Sequence, residues 1–166
     1  MRPDATARFE ALYAEHGDAV LRYARRRTAR AAADDVVAET FLVAWRRLDR
    51  VPAEPRAWLL AVARRTLANQ RRGERRRLAL AAQLADVPRA EVYTEGGDRR
   101  LMVALASLRE SDREALLLVH WDGLKPAEAA EVLGVTGLAF RSRLHRARRR
   151  LAALLDDAPT LAGVGS

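Results

Sequence analysis

Between residues 140 and 150 the chain reads FRSRLHRARRR, which places Arg141, Arg143, Arg146, Arg148, Arg149 and Arg150 in one run with no acidic side chain. Guanidinium groups at this density suit bidentate contact with phosphate oxygens and with the O6 and N7 acceptors of guanine, so their chemistry is recognition of a polyanion and not bond making. The other cluster of titratable groups is acidic. Asp34, Asp35 and Glu39, taken with His16 or His120, form the best set that could supply metal ligands or an acid and a base. The three histidines are scattered and no H-E-x-x-H spacing occurs, while zero cysteines remove thiol catalysis, disulfides and Cys-ligated zinc. No enzymatic activity, metal or cofactor is expected.

The elements that must position the arginines can be read from residues 122–150. Pro126 suits the first position of a helix, where its missing N–H costs nothing, and Ala129, Ala130, Val132 and Leu133 then supply an apolar face. Gly134 is placed to end that short helix in the left-handed conformation. Val135 can fill the gap that follows, and Thr136 is a good N-cap for a second helix with the stripe Phe140, Leu144, Ala147 and Leu151. Thr136, Gly137, Arg141, Ser142, Arg143 and Arg146 then lie near the start of a helix that could enter the major groove. The pattern is a helix-turn-helix with a basic recognition helix. An Arg-rich face can also be plain solvated surface, and a repressor that binds DNA unaided would need only this much.

Composition agrees with such a partner. The 166 residues are 49% hydrophobic with nine Gly and six Pro, contain no Ile, and show no strand-like alternation, so an all-α fold of two small helical domains is expected. Net charge is +8, and Lys125 is the only lysine among 30 basic residues. Residues 1–77 carry 18 basic and 10 acidic side chains, whereas residues 78–100 carry three and four. That second stretch holds Pro88 and Gly96-Gly97, as a linker would, with the boundary between residues 87 and 98. The expected division is a domain over residues 1–80, a flexible linker over 81–100, a domain over 101–155 and a flexible tail over 156–166. The N-terminus lacks the apolar core of a signal peptide and no uncharged run of about eighteen apolar residues occurs, so a soluble, cytoplasmic protein is expected.

In the first domain, Phe9, Leu12, Tyr13, His16, Val20, Leu21, Tyr23 and Ala24 are spaced for one or two amphipathic helices interrupted near Gly17-Asp18. Arg25, Arg26, Arg27 and Arg30 follow, where cations suit a helix C-terminus. The next helix should carry Asp34 and Asp35 in its first turns and bury Val37, Phe41, Ala44, Trp45 and Leu48. Residues 49–55 contain two prolines and must break it. From about Arg56 a further helix can pack Trp58, Leu59, Val62, Ala63 and Thr66 inward and present Arg64, Arg65, Asn69, Gln70, Arg71 and Arg72 outward, on into Arg75, Arg76 and Arg77. A basic helix beside an exposed loop suits single-stranded or melting DNA. Trp45 and Trp58 are expected in the core.

The spelling of these segments resembles the extracytoplasmic-function sigma factors of bacterial RNA polymerase. Gly123-Leu124, Glu128-Ala129-Ala130, Leu133-Gly134-Val135 and the run from Arg141 to Arg148 resemble region four; Asp34-Asp35-Val36-Val37, Glu39-Thr40-Phe41, Ala44-Trp45, Arg56-Ala57-Trp58-Leu59 and Ala63-Arg64 resemble region two. The resemblance implies a factor that directs promoter-specific initiation, reading the −35 element with Thr136, Gly137, Arg141, Ser142, Arg143 and Arg146. It implies opening of the −10 element by the 48–55 loop, including Asp49 and Arg50, with Arg64, Arg65, Asn69 and Arg72. Asp34, Asp35, Glu39 and Thr40 become the residues that bind polymerase. The implied partners are the clamp and flap of core polymerase, promoter DNA and an anti-sigma factor, through which any membrane contact would be made. The pattern departs from the family at Ala38, commonly Gln, at the short 51–54 loop, at Lys125 where Ser or Thr usually begins the helix, and at Phe140, which replaces a smaller aliphatic residue.

Overall fold

The computed structural model describes residues 3–81 and 98–157. Most of the expected linker and nearly all of the tail therefore lie outside the described residues. Among the described residues every regular element is helical: α1 (Pro3–Arg25), α2 (Arg30–Arg46), a 3-10 turn (Leu48–Arg50), α3 (Pro55–Ala81), α4 (Arg99–Ser107), α5 (Glu110–His120), α6 (Pro126–Leu133) and α7 (Gly137–Asp157).

The first three helices form a bundle. Contrary to the expected interruption at Gly17-Asp18, α1 is one continuous helix. A mid-helix glycine costs about 1 kcal/mol relative to Ala; here Gly17 is buried beside the Tyr13 ring, and packing of Leu12, Val20, Tyr23 and Ala24 on α2 and α3 outweighs that cost. The second helix carries its acids near the start, as expected. It starts at Arg30, behind an extended Ala29 with no side-chain cap, so Asp34 and Asp35 occupy its second turn. Its buried side is Ala33, Val36, Val37, Thr40, Phe41 and Ala44, while Trp45 and Trp58 are half-buried and Trp45 meets Phe9 edge-on at 5.1 Å. Pro55 opens α3, whose first half buries Ala57, Leu59, Leu60, Val62, Ala63, Thr66 and Leu67. Beyond Arg72 the same helix is almost wholly exposed.

In the second unit α7 is the spine against which α4, α5 and α6 pack. Asp98 caps α4 by accepting from the Arg100 N–H at 2.9 Å. Gly123, at φ 67°, turns the chain after α5, and beside it the Arg56 guanidinium donates to the Asp122 carbonyl. The two units are not separate in this structure. The first packs on the second through α3 and α6, and one apolar cluster continues from Val20, Tyr23, Leu60 and Leu67 to Leu116, Ala130 and Phe140.

Candidate nucleic-acid and polymerase interfaces

The helix-turn-helix is built as its residues dictate. Pro126 is the first residue of α6, and Glu128 reaches back to accept from the Lys125 N–H at 2.7 Å, so the N-terminus is capped although lysine itself has no acceptor. Gly134 closes the helix at φ 65°, ψ 35°, and the Val135 N–H donates to the Ala130 carbonyl at 3.0 Å. Thr136 Oγ1 then accepts from the Ala139 N–H at 3.2 Å, which fixes where α7 starts. Phe140, Leu144 and Ala147 are buried and Leu151 half-buried, as the stripe requires.

With the core side of α7 so fixed, about 100° of rotation per residue places Leu138, Ser142, His145 and Arg149 at the opposite pole, with Arg141 and Arg148 on one flank and Arg143 and Arg150 on the other. The arginines are therefore not equivalent. Arg150 is bound to the buried Asp112 carboxylate of α5, and Arg148 Nε donates to His120 Nε2 at 3.3 Å. Both brace the helix within its own unit. Thr136, Gly137, Arg141, Ser142 and Arg146 are exposed and Arg143 is half-buried. Leu138 is 70% exposed at the tip of the helix. The signal for it in the sequence is an apolar residue standing off the 140, 144, 147, 151 stripe.

On the first unit Asp34, Asp35 and Glu39 are exposed on one side of α2. Thr40, expected beside them, is fully buried with no hydrogen-bond partner for its hydroxyl, because the following turn of α2 rotates it toward the core. It cannot touch a partner in this conformation. Next to the acids, Phe9, Tyr13, Ala38, Phe41, Leu42 and Trp45 line a shallow apolar groove of about 430 Å³, in which Tyr13 and Leu42 are half exposed. The face is thus acidic along one edge and apolar along the other, with Ala38 on both.

Asp49 and Arg50 are exposed on the 3-10 turn, and Arg64, Arg65, Asn69 and Arg72 are exposed on α3, where Arg72 donates to Asn69 Oδ1. The loop and the basic helix each line a cleft. Residues 51–56 line one of about 720 Å³ with Arg8, His16 and Glu128, whereas Arg64 and Arg72 line another of about 650 Å³ that also contains Arg143 of the recognition helix.

That second cleft is closed on one side by a buried ion cluster that no spacing in the sequence marks. Arg27 Nε donates to Glu114 at 2.9 Å and its Nη2 to Asp122 at 2.7 Å, while Arg26 Nη1 donates to the other Asp122 oxygen at 2.8 Å. The Arg27 guanidinium also stacks 3.7 Å over the Tyr23 ring, and the Tyr23 hydroxyl donates to Glu114 at 3.3 Å. Burial alone would make Arg27 easier to deprotonate, but Glu114, Tyr23 and Asp122 more than reverse this and hold its pKa above the ordinary value. For Arg26 burial wins over the attraction of Asp122, and its pKa falls. Burial also pushes the Tyr23 hydroxyl up, so it stays a donor. Among the described residues no group of three His, Asp or Glu side chains is placed to hold a metal ion.

A helix-turn-helix with a basic reading helix, joined to a bundle that shows an acidic face and a basic helix, defines a DNA-binding protein that also has a surface for a protein partner. Residues 12–77 match Sigma-70 region 2 and residues 98–151 match Sigma-70, region 4. The chain is 36% identical over 160 residues to the ECF RNA polymerase sigma factor SigL of Mycobacterium tuberculosis, covering 91% of this chain and 90% of that one. It is 34% identical over 165 residues to the RNA polymerase sigma factor CnrH of Cupriavidus metallidurans, covering 89% and 86%. Among solved structures, the sigma factor RpoE in complex with the anti-sigma factor NepR from Bartonella quintana superposes with a TM-score of 0.70 at 25% identity, covering 91% of this chain and 98% of that one. The chain belongs to the extracytoplasmic-function sigma factors of RNA polymerase. A repressor acting without polymerase is not favoured, since residues 12–77 of the first bundle match region 2.

Proposed function

We propose that this sigma factor reads the −35 element with α7 and opens the −10 element with the first bundle, through the residues placed above. The single observation that carries this assignment is the split of charge on the exposed helices: α2 shows Asp34, Asp35 and Glu39, which repel DNA, whereas α3 and α7 show arginine. Acidic and apolar groups side by side suit a basic protein surface, so α2 with its apolar groove binds the polymerase clamp, and the second unit meets the flap. Arg141, Ser142, Arg143 and Arg146 contact the major groove, with Thr136 and Gly137 at the helix tip and Leu138 free to pack on a thymine methyl. Asp49, Arg50, Arg64, Arg65, Asn69 and Arg72 engage the melting strand, where phosphate attraction and base unstacking act together.

The protein performs no bond chemistry of its own; initiation follows from placement of the polymerase on DNA. An anti-sigma factor, of the kind bound to RpoE in its solved complex, is the expected inhibitor. No helix among the described residues is long and apolar enough to cross a membrane, and we assign the protein to the cytoplasm, where polymerase works. Run-off transcription with purified core polymerase tests the assignment. Promoter-specific transcripts that require this protein support it, and DNA binding without core-dependent initiation overturns it.

A further inference from the structure

We propose that the arginine-lined cleft between α3, α5 and α7 is a binding site for a linear polyphosphate, held by Arg64 and Arg72 of α3, Arg113 of α5 and Arg143 of α7. The inference rests in part on the DNA-binding reading above, which gives three of these side chains to phosphate, and it adds a second, small ligand of the same chemistry.

The charge of the cleft carries it. Its walls hold seven arginines against two carboxylates, Glu110 and Glu114. Both carboxylates are already paired within the protein. Glu114 takes Arg27 at 2.9 Å and Glu110 takes Arg71 at 3.2 Å, while Arg26 is paired with Asp122 at 2.8 Å. That leaves Arg64, Arg72, Arg113 and Arg143, and among the described residues no carboxylate is paired with any of the four. Where they do donate, the acceptors are neutral: Asn69 Oδ1 for Arg72 and the Ala106 carbonyl, at 3.4 Å, for Arg113. Four cations around one concavity repel one another, and the low-dielectric walls focus their field where an open surface would let salt screen it. A compact anion of several charges removes that repulsion.

The geometry selects the kind of anion. A volume of about 650 Å³ falls within the range of about 300 to 1,000 Å³ found for small-ligand sites. The four arginines come from three helices, so they surround the space, whereas a merely solvated arginine stripe would follow one exposed face. Arg64 and Arg72 are exposed, Arg143 is half-buried and Arg113 is 9% exposed, so the site runs from solvent inward. Arg64 and Arg72 stand eight residues apart on α3, about 12 Å along its axis at 1.5 Å per residue. A single orthophosphate is too short to serve both ends, and a chain of three or more phosphates is not. Each guanidinium stays charged and presents a planar fork that matches two oxygens of one phosphate, so successive phosphates meet successive arginines.

Leu67, Leu117 and Leu133 also line the cleft and give it an apolar wall suited to a nucleobase. An inorganic chain and a nucleoside polyphosphate thus share the chemistry that the site recognises, and the experiment separates them.

Calorimetric titration of the full chain at fixed ionic strength compares inorganic tripolyphosphate, GTP and orthophosphate. Tripolyphosphate should bind one per chain and about tenfold or more tighter than orthophosphate. Arg113→Gln and Arg143→Gln should each weaken it by about tenfold, the loss expected for one hydrogen-bonded ion contact. Arg47→Gln removes the same charge at an exposed position outside the cleft and should leave the affinity unchanged. GTP binding tighter than tripolyphosphate supports the site with a nucleoside form as its ligand, and equal or weaker binding of GTP supports it with the inorganic chain. No preference over orthophosphate, several weak equivalents per chain, or equal losses in Arg47→Gln and Arg143→Gln would each overturn the proposal. So would a single-stranded tetranucleotide that binds as tightly as tripolyphosphate, since the cleft would then belong to the melting strand. Should Arg113→Gln fail to fold, as circular dichroism would show, Arg143→Gln against Arg47→Gln still decides. Run-off transcription with core polymerase is read separately. Absence of transcripts counts against the sigma-factor reading, whereas normal transcripts without tripolyphosphate binding count against this site alone.

Discussion

Arg27 in the turn after α1 and Asp122 in the turn before the helix-turn-helix meet at 2.7 Å although 95 residues separate them in the chain. Both are buried, and Arg27 bridges to Glu114 as well. Removing one partner of such a cluster leaves uncompensated buried charge, a cost of about 3 to 5 kcal/mol, whereas neutralising all members together costs far less. Arg27→Met should therefore lower the urea midpoint strongly, and Arg26→Met/Arg27→Met/Glu114→Gln/Asp122→Asn should recover much of the loss. If the single variant instead loses less than about 1 kcal/mol, the two units part and the acids rehydrate before unfolding.

The turn of the helix-turn-helix depends on two residues with separate physical roles. Gly134 occupies the left-handed region, where a Cβ costs roughly 1 to 2 kcal/mol, and Gly134→Ala should destabilise by about that much although nothing lies within 4 Å of the added atom. Thr136→Ala removes the cap to Ala139 and should cost about 1 kcal/mol. Denaturation monitored by circular dichroism gives both values, and equal stability of Gly134→Ala would mean that the turn relaxes into another geometry.

His120 makes the second unit sensitive to acid. Partial burial and the neighbouring Arg148 guanidinium hold its pKa below the ordinary 6.5. The unfolded chain then binds the proton first, so stability is fully present above about pH 6.5 and is lost as pH falls from there through the lower folded value. His120→Gln keeps an acceptor for Arg148 Nε and should flatten stability against pH below about 6.5. An unchanged slope in urea unfolding across that window would place the proton elsewhere.

Much of this architecture could be read from the chain because local and global signals agree. Pro126, Gly134, Thr136 and the 140, 144, 147 stripe each point to the same turn, and each occupies the expected place. Gly17 misled because a helix breaker was weighed without the packing that holds it. Thr40 misled for a different reason. Its neighbours Glu39 and Phe41 fix opposite faces, and a polar residue between them can fall on either; only the rotation of α2 decides. The Arg27 cluster was illegible because its members are distant in sequence, and an arginine after a helix C-terminus already has a local explanation in the helix dipole.

On α2 the proposed polymerase-binding face gives way to core between Glu39 and Thr40. Asp34→Ala/Asp35→Ala removes two exposed carboxylates and should weaken binding to core polymerase; interfacial charge pairs that lose one partner give up about 2 to 5 kcal/mol. Thr40→Val keeps the buried volume and removes a hydroxyl without a partner, so affinity for core should be unchanged and stability equal or higher. Calorimetry of each variant with core distinguishes them. Loss of affinity in Thr40→Val with intact folding would mean that α2 turns or opens when polymerase binds.

The recognition helix offers the sharpest test, because its arginines differ by position. Arg141 and Arg143 stand on opposite flanks of α7, about 160° apart at 100° per residue, so a helix lying in the groove directs them to different strands or different base pairs. Replacing an arginine that reads guanine should cost about 1 to 3 kcal/mol and relax preference at one base pair; replacing one that holds phosphate should weaken every sequence alike and lower the salt slope by about one unit. Arg150→Ala should do neither and should act on stability, since its guanidinium is committed to Asp112. Leu138→Ala should relax preference for thymine at one position and leave the salt slope unchanged, because its 70% exposed side chain carries no charge. Competition binding of the four variants with core polymerase against a randomised upstream element, at two salt concentrations, resolves these patterns. Loss of sequence preference in Arg150→Ala with folding intact, and none in Arg141→Ala or Arg143→Ala, would mean that α7 enters the groove by its C-terminal half.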